Sequence, residues 1–421
     1  MTQEKYDAYI GLLKEELVPA LGCTEPVAIA YGAAKARSVL GAFPDEVTVE
    51  ISGNIMKNAK SVVVPNTNGL KGIAAAAAAG IVAGNADKGL EVISGITDED
   101  RERINKFLED HLVKVITVQS ERVFDMTVTL KHGSECVKLR IADLHTNIVS
   151  IEKNGKSVFD TPVYEMTEDE NFENAFLSVK DIVEFADTVS IGDIRGIIEK
   201  QINYNMAIAE EGLKGDYGAN IGKILLSCYG DDIKIRAKAK AAAASDARMN
   251  GCGMPVVIVS GSGNQGLTAS VPVIEYAREL RCSNDRLYRA LVVSNLITLH
   301  QKKGIGRLSA YCGAVCAGCG SGAGIAYLMG GGYEEIELTL VNALTIVSGV
   351  ICDGAKSSCA AKIAASVDAG LLGYYMMKHG QRFKAGEGII AKDVEATITN
   401  ICKLGKHGMR ETDKEIIRIM G

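Results

Sequence analysis

Residues 308–333 read LSAYCGAVCAGCGSGAGIAYLMGGGY and carry no Asp, Glu, Lys or Arg. Two further stretches, 253–274 and 338–352, also lack these four residues. Length alone would permit 308–333 to span a membrane. Its many Gly, Ser and Cys residues suit a lipid-facing helix poorly, and no basic flank orients it. The stretch is therefore expected as an interior helix whose small side chains let neighbours approach. Residues 72–84, GIAAAAAAGIVAG, read the same way: six consecutive alanines favour helix and hold no neighbour away.

The rest of the chain divides around these helices. Residues 1–85 predict an amphipathic helix up to Leu21, a helix over about 26–40 and a strand at VTVEIS from Val47. From about Lys88 the chain turns charged and alternating, with a helix near 98–111 and then VKVITV, VFDMTVTL, CVKLRIAD and TNIVSIEKN. Turn residues at His132-Gly133-Ser134 and Asn154-Gly155 punctuate these runs, the pattern of a meander sheet. Long helical periods return beyond about Val179. The expected fold class is α+β. A mostly helical catalytic domain of tightly packed Gly/Ala-rich helices, 1–85 and 170–421, holds an inserted smaller α+β domain with a meander sheet, 86–169.

Composition narrows the function. With 46 Lys+Arg against 52 Asp+Glu, the net charge of −6 offers no basic footprint for a phosphate backbone, so no nucleic-acid partner is expected. No membrane partner is expected either. The N-terminal MTQEKYDAYIGLLKEELVPALGC scatters charges with no apolar run of signal-peptide type, which predicts a cytoplasmic location. In a reducing compartment, eleven cysteines argue against a disulfide framework and for buried filler or for metal and redox chemistry. Isolated residues such as Cys136, Cys228 and Cys402 are expected as buried filler.

Three signals carry chemistry. The first is Cys312, Cys316 and Cys319, followed by Cys352 and Cys359 in a nearly uncharged setting of the kind that protects an iron–sulfur cluster. Cys312, Cys316 and Cys319 alone spell CxxxCxxC, the spacing of radical S-adenosylmethionine enzymes, but no alternating strand and helix series surrounds them. Cys316 and Cys319 lining a helix contact is the plainer reading. The second signal is GSGNQG, 261–266, after the strand-like VVIVS. A dinucleotide fingerprint would need an acid at a strand end about 20 positions on, and the candidate, Asp285, sits in a helical run. What survives is a glycine loop whose N–H groups suit a small carboxylate, or simply a tight turn.

The third signal is LGCTEPVAIAYGAAKA, 21–36, where Thr24 is expected as N-cap and Pro26 in the first helical turn. Cys23 then stands at a helix N-terminus, where the macrodipole favours thiolate, and is a candidate base or nucleophile. Asn54, Lys57, Asn58 and Lys60 are expected in a solvated loop, and His145-Thr146-Asn147 as a strand-start cap. Lys356, between Cys352 and Cys359, is a candidate to neutralise a substrate carboxylate or a cluster.

Taken in order, LGCTEP, SGSGNQGLTASVPV, AYCGAVCAGCGSGAGIAYLMGG and ICDGAKSSCAAKIA resemble the L-cysteine desulfidase family, which is related to the α chain of bacterial iron–sulfur L-serine dehydratases. The resemblance covers nearly the whole chain, with the dehydratase-like part beginning at about residue 180. It implies an oxygen-sensitive four-iron four-sulfur cluster and no pyridoxal phosphate. By block alignment its ligands fall on Cys312, Cys352 and Cys359, and the cysteine base on Cys23. Cys316 and Cys319 are then not ligands. The related dehydratases have proline after the aspartate of a CDP block, where this chain has Cys352-Asp353-Gly354.

The implied reaction is α,β-elimination of L-cysteine to sulfide, ammonia and pyruvate. Cys23 removes the α-proton while an open iron acts as Lewis acid on the β-thiol. Backbone N–H groups of Gly263, Asn264, Gln265 and Gly266, with the Lys356 ammonium, are the candidate carboxylate clamp. L-Serine or another β-substituted amino acid is the alternative substrate for the same site. A radical enzyme and a cluster-free, non-catalytic homologue remain as other classes. A homodimer is expected on the general frequency of such assemblies.

Overall fold

The structure is a computed structural model that describes residues 1–161, 177–306 and 308–420. Its first part comprises helices α1 (Gln3–Glu16), α2 (Thr24–Leu40), α3 (Gly53–Ala59), α4 (Gly72–Ala83) and α5 (Asp98–Asp110). Strands β1 (Pro19–Leu21), β2 (Glu46–Ser52), β3 (Val113–Val118), β4 (Asp125–His132), β5 (Glu135–Ala142), β6 (Ile148–Lys153) and β7 (Lys156–Asp160) run among and after them. The rest is helical apart from β8 (Pro255–Val257). Its helices are α6 (Val179–Thr188), α7 (Ile191–Lys214), α8 (Ile221–Tyr229), α9 (Ile233–Met249), α10 (Gly263–Glu279) and α11 (Asn284–Ile305), then α12 (Gly313–Leu328), α13 (Tyr333–Val347), α14 (Cys359–Lys378), α15 (Val394–Lys403) and α16 (Arg410–Met420). The fold is thus α+β and mostly helical.

Six strands form one sheet in the order β3-β2-β4-β5-β6-β7. β2 pairs parallel to β3 and antiparallel to β4, and the remaining neighbours are antiparallel. Val47, Val49 and Ile51 on β2, Met126, Val128 and Leu130 on β4, and Val137, Leu139 and Ile141 on β5 are all buried, the period-two signature of a sheet covered on one face. The covering element is α2: a Cβ on Gly32 would press against the Met126 side chain. Segment 86–169 therefore supplies β3 to β7, while β2, the strand expected at VTVEIS, comes from the first 85 residues. The expected boundary at 169/170 lies outside the described residues.

The charge-free stretches become α10, α12 and α13, and among the described residues no helix is long and apolar enough to cross a membrane. α12 is buried along almost its whole length. Its glycines let backbones meet: a Cβ on Gly370 of α14 would fall within contact of the Gly318 carbonyl, and one on Gly318 would meet the Ser366 carbonyl. α4 lies on α2 in the same manner, with Gly80 against the Ala30 carbonyl. Alanine favours helix over glycine by about 1 kcal/mol. Overpacking into an unyielding backbone costs about 1–3 kcal/mol, so the steric term wins. Gly370→Ala is expected to lower stability by about 1–2 kcal/mol in urea unfolding; an unchanged midpoint would show that the two helices slide apart freely.

Candidate functional site

Short backbone pairings gather four helix N-termini around one cavity. β1 pairs antiparallel with β8, joining Leu21 to Pro255 and Pro19 to Val257. This sets the start of α2 beside the loop that opens α10, and Thr24 Oγ1 donates to Gly261 O at 2.9 Å to lock the two together. An isolated bridge between Tyr311 and Ile351 does the same for the other pair. Through it, Cys312 N–H donates to Val350 O at 3.1 Å and Cys352 N–H to Ala310 O at 2.6 Å, so thiols forty residues apart in sequence become neighbours.

The turn 353–358 then returns the chain to Cys359, the first residue of α14. Gly354 has φ +95°, and a Cβ there would strike the Lys57 carbonyl. Proline, with φ fixed near −65°, cannot occupy that conformation. The CDG sequence thus has its own turn geometry, distinct from one a CDP block can form.

The cavity, about 110 Å³, is small beside the roughly 300–1,000 Å³ of sites that take drug-sized ligands. Cys23, Cys312, Cys352 and Cys359 all line it, as do Asn264 and Gln265. Ser262 and Cys312 are the N-caps of α10 and α12, Cys23 caps α2, and no side chain donates or accepts a capping bond at any of these or at α14. Converging partial positive charges of uncapped helix starts favour anions. A more open cleft of about 370 Å³ among α7, α10 and α11 contains none of the residues singled out from the sequence.

Three expected substrate contacts do not reach the cavity wall. Gly263 leaves room for the Arg248 guanidinium, which a Cβ would overlap, and Gly266 lets α10 touch the Val257 carbonyl. The Gly266 N–H is spent on Ser262 O at 3.1 Å. Lys356 turns away to Asp353, 2.6 Å from its Oδ1, and Lys362 pairs with the same carboxylate. Although burial opposes it, these two ammonium groups hold Asp353 down at about 2. The lysine next to the cysteines in sequence is a clamp for their turn.

The cations that do line the cavity are Arg248, Lys302 and Lys362. Arg248 is 2% exposed, donates from Nη1 to Asn264 Oδ1 at 3.0 Å, and leaves its Nε without a partner. Lys302 is equally buried, and no carboxylate pairs with it among the described residues. Burial pushes its ammonium pKa down, opposed by nearby Cys316, Cys352 and Cys312. Gln265 Oε1 is also unpartnered, its amide fitting where a side chain on Gly313 would sit. Sequence reasoning missed Arg248 and Lys302 because each lies in an ordinary helical context, the first ending an alanine-rich run and the second in a Lys-Lys pair.

Cys23, not Thr24, is the N-cap of α2. Its Sγ donates to Glu25 Oε2 at 3.0 Å. Burial and then the Glu25 charge raise the thiol well above its ordinary value, against the lowering effect of Arg248. The expected resting thiolate is therefore a resting thiol. Glu25 itself stays ionised: burial pushes it up, but His145 in its protonated form and the Cys23 thiol bring it to about 2. Asn58 Nδ2 donates to Glu25 Oε1 at 3.2 Å. The expected solvated loop is in fact helix α3, with Lys57 and Asn58 buried and Lys57 bonded to Asp413 at 2.5 Å. His145 caps no strand start; it is buried beside Glu25.

The remaining cysteines separate into two groups. Cys316 and Cys319 are fully buried in helix packing and do not line the cavity, so the CxxxCxxC set is not assembled on its wall. Cys402 is buried filler as expected, whereas Cys136 is only partly covered and Cys228 is exposed.

The donor set suits the implied cluster. Burial, with Cys352 next, pushes Cys312 up to about 12, and burial also raises Cys359. Both are protonated thiols at neutral pH until a metal displaces the proton. Among the described residues no three His, Cys, Asp or Glu side chains converge to hold a single metal ion. A cluster takes one thiolate per iron, so its ligands stand apart around it. Cys312, Cys352 and Cys359, neighbours in a cavity that cations and helix N-termini also line, would hold such a group.

Comparison with known proteins adds the lineage. The sequence model described as serine dehydratase alpha chain matches residues 87–418, beginning well before the expected start near 180. A UPF0597 protein of Desulfitobacterium hafniense is 62% identical over 415 residues, covering 99% of this chain and 96% of its own length. UPF0597 proteins of Lachnoclostridium phytofermentans and Treponema denticola are 51% and 46% identical, each covered over 99% of its length.

Proposed function

The chain belongs to the serine dehydratase alpha-chain family, a lineage of lyase-type enzymes, and on that premise we propose that it catalyses α,β-elimination from a small amino acid, L-cysteine, giving sulfide, ammonia and pyruvate. One observation carries this reading: a single small cavity is lined by Cys23, by Cys312, Cys352 and Cys359, and by Arg248 and Gln265, each of which keeps a buried polar atom without a partner. The Arg248 Nε–H is an unused donor and Gln265 Oε1 an unused acceptor. Together they complement the carboxylate and ammonium of an amino-acid zwitterion. Unsatisfied buried groups cost about 1–3 kcal/mol each, a cost that a matching ligand recovers.

Arg248 and the open N–H groups at the start of α10 hold the carboxylate and offset its charge, which makes the α-proton more acidic. Gln265 accepts from the ammonium. Cys23, as thiolate, takes the α-proton, and the β-substituent departs with its bonding electron pair as sulfide. The released enamine adds water and loses ammonia to become pyruvate. A four-iron four-sulfur cluster on Cys312, Cys352 and Cys359 supplies, when bound, a Lewis-acidic iron for the leaving group. Thiol sulfur is a softer ligand for iron than hydroxyl, which favours cysteine. The family description favours L-serine, with water leaving, as the second reading.

Anaerobic reconstitution followed by iron, sulfide and pyruvate assays tests the proposal. About four irons per chain are expected, with sulfide and pyruvate released together from L-cysteine. Pyruvate from L-serine alone would establish the second reading, and a protein that binds no iron and releases neither product would refute both.

A further inference from the structure

The six-stranded sheet reaches the cavity through one side chain. His145 lies in the connection between β5 and β6, is 7% exposed, and lines the cavity opposite α2. Its ring packs edge-on against Phe124, with centroids 4.7 Å apart, which fixes its plane. Nε2 is 3.8 Å from Glu25 Oε1, close enough for an ion pair once the ring is protonated but beyond hydrogen-bond range, and it makes no hydrogen bond. The other carboxylate oxygen of Glu25 accepts from the Cys23 thiol. Glu25 therefore bridges a thiol on one side and an unused imidazole nitrogen on the other.

A base at position 23 has a difficulty that this bridge resolves. Losing its proton to solvent would leave thiolate and carboxylate side by side in a buried site. Among the described residues the cation acting on both is Arg248 from α9, with the Cys359 thiol of α14 beyond it, the neutral Asn58 reaching Glu25 from α3, and Lys302 and Lys362 elsewhere on the cavity wall. We propose that His145 is a positioning residue for the elimination, taking up through Glu25 the proton that Cys23 sheds on becoming a base. The S–H bond breaks and leaves its electron pair on sulfur. A proton reaches Glu25 Oε2, and an N–H bond forms at His145 Nε2 as the carboxyl swings across the gap. Glu25 ends as it began, ionised, and the charge of the set is unchanged. The sheet thereby becomes part of the catalytic apparatus.

This inference rests on Cys23 being the base, and its test is read separately from that assignment. His145→Gln keeps an amide able to donate to Glu25 but removes the proton acceptor. In cluster-free protein, alkylation of Cys23 by iodoacetamide, followed by peptide mass spectrometry, is expected to slow about tenfold, one unit of thiol acidity. In reconstituted protein kcat is expected to fall at least about tenfold while KM stays within about twofold. Phe124→Leu, which changes the packing of the ring but leaves its nitrogens in place, is expected to leave the alkylation rate near that of the unaltered protein. Unchanged alkylation in His145→Gln, or equal slowing in Phe124→Leu, overturns the proposal. Full activity in Cys23→Ala with its cluster intact would instead remove the base assignment, and the alkylation result would still report on the relay.

Discussion

Single replacement of Cys312, Cys352 or Cys359 by alanine is expected to abolish the brown absorbance of anaerobically reconstituted protein, whereas Cys316→Ala is expected to retain it. Three thiolates are the fewest that hold a cubane while leaving one iron open, so removing any of them leaves two protein ligands. The backbone explains why no neighbour substitutes. Cys312 and Cys352 are fixed by the Tyr311–Ile351 bridge, and Cys359 by the start of α14 and the Asp353 clamp with Lys356 and Lys362. Cys316 sits one helical turn beyond Cys312 but is fully buried against α11, where the Gln301 amide donates to its carbonyl at 3.3 Å. Presenting its sulfur to the cavity would require α12 to rotate within a glycine-packed interface. Truncation of Cys316 removes little volume, so the protein should fold. Iron and acid-labile sulfide are measured alongside the absorbance. A full complement after Cys352→Ala, or its loss after Cys316→Ala, would displace the ligand set.

The features visible in sequence are those that composition imposes locally. Uncharged runs of Gly, Ala and Ser at 308–333 and 72–84 have one stable use, close helix packing, and α12 and α4 use them so. Strand β2 was legible as a strand but not as the second strand of a sheet, because its partners β3 (from Val113) and β4 (from Asp125) lie more than sixty residues further along the chain. The site shows the same division. Cysteines stand out because thiols serve few purposes in a chain without disulfides. Arg248, Lys302 and His145 do not, since their significance is burial at the wall of one cavity, a tertiary property. Lys356 misleads for the opposite reason: it is close to the cysteines in sequence, but Asp353 three residues earlier captures it. The thiol of Cys23 is a matter of magnitude. A helix dipole contributes about 0.3–1 kcal/mol, up to about 2 in favourable geometries. Full burial moves a pKa by up to 3–5 units, each worth about 1.4 kcal/mol. Burial wins, and Glu25 adds to it.

That outcome sharpens the second large expectation. Cys23→Ala should lower kcat for sulfide release by roughly 100- to 10,000-fold, the contribution of a positioned base, with iron content unchanged. Cys23→Ser should lie almost as low. Serine can still donate to Glu25 and fill the N-cap of α2, so it preserves the fold and the carboxylate's partner, but its hydroxyl gives up a proton far less readily than a thiol. The pair of variants thus separates the proton-transfer role from a structural one. If Cys23 only tethered Glu25, the serine variant would keep most of its activity and the alanine variant would lose it. If Cys23 were instead a cluster ligand, both would lose iron, which an unchanged absorbance would exclude. Because the resting thiol is protonated, raising the pH should raise the rate of the unaltered enzyme by supplying thiolate beyond what transfer to His145 provides, and this rise should vanish from the residual rate of Cys23→Ser. Substantial turnover by Cys23→Ala with its cluster intact would leave the α-proton to another group. Glu25, already ionised and within 3.0 Å of the missing sulfur's position, would then be the next residue to examine.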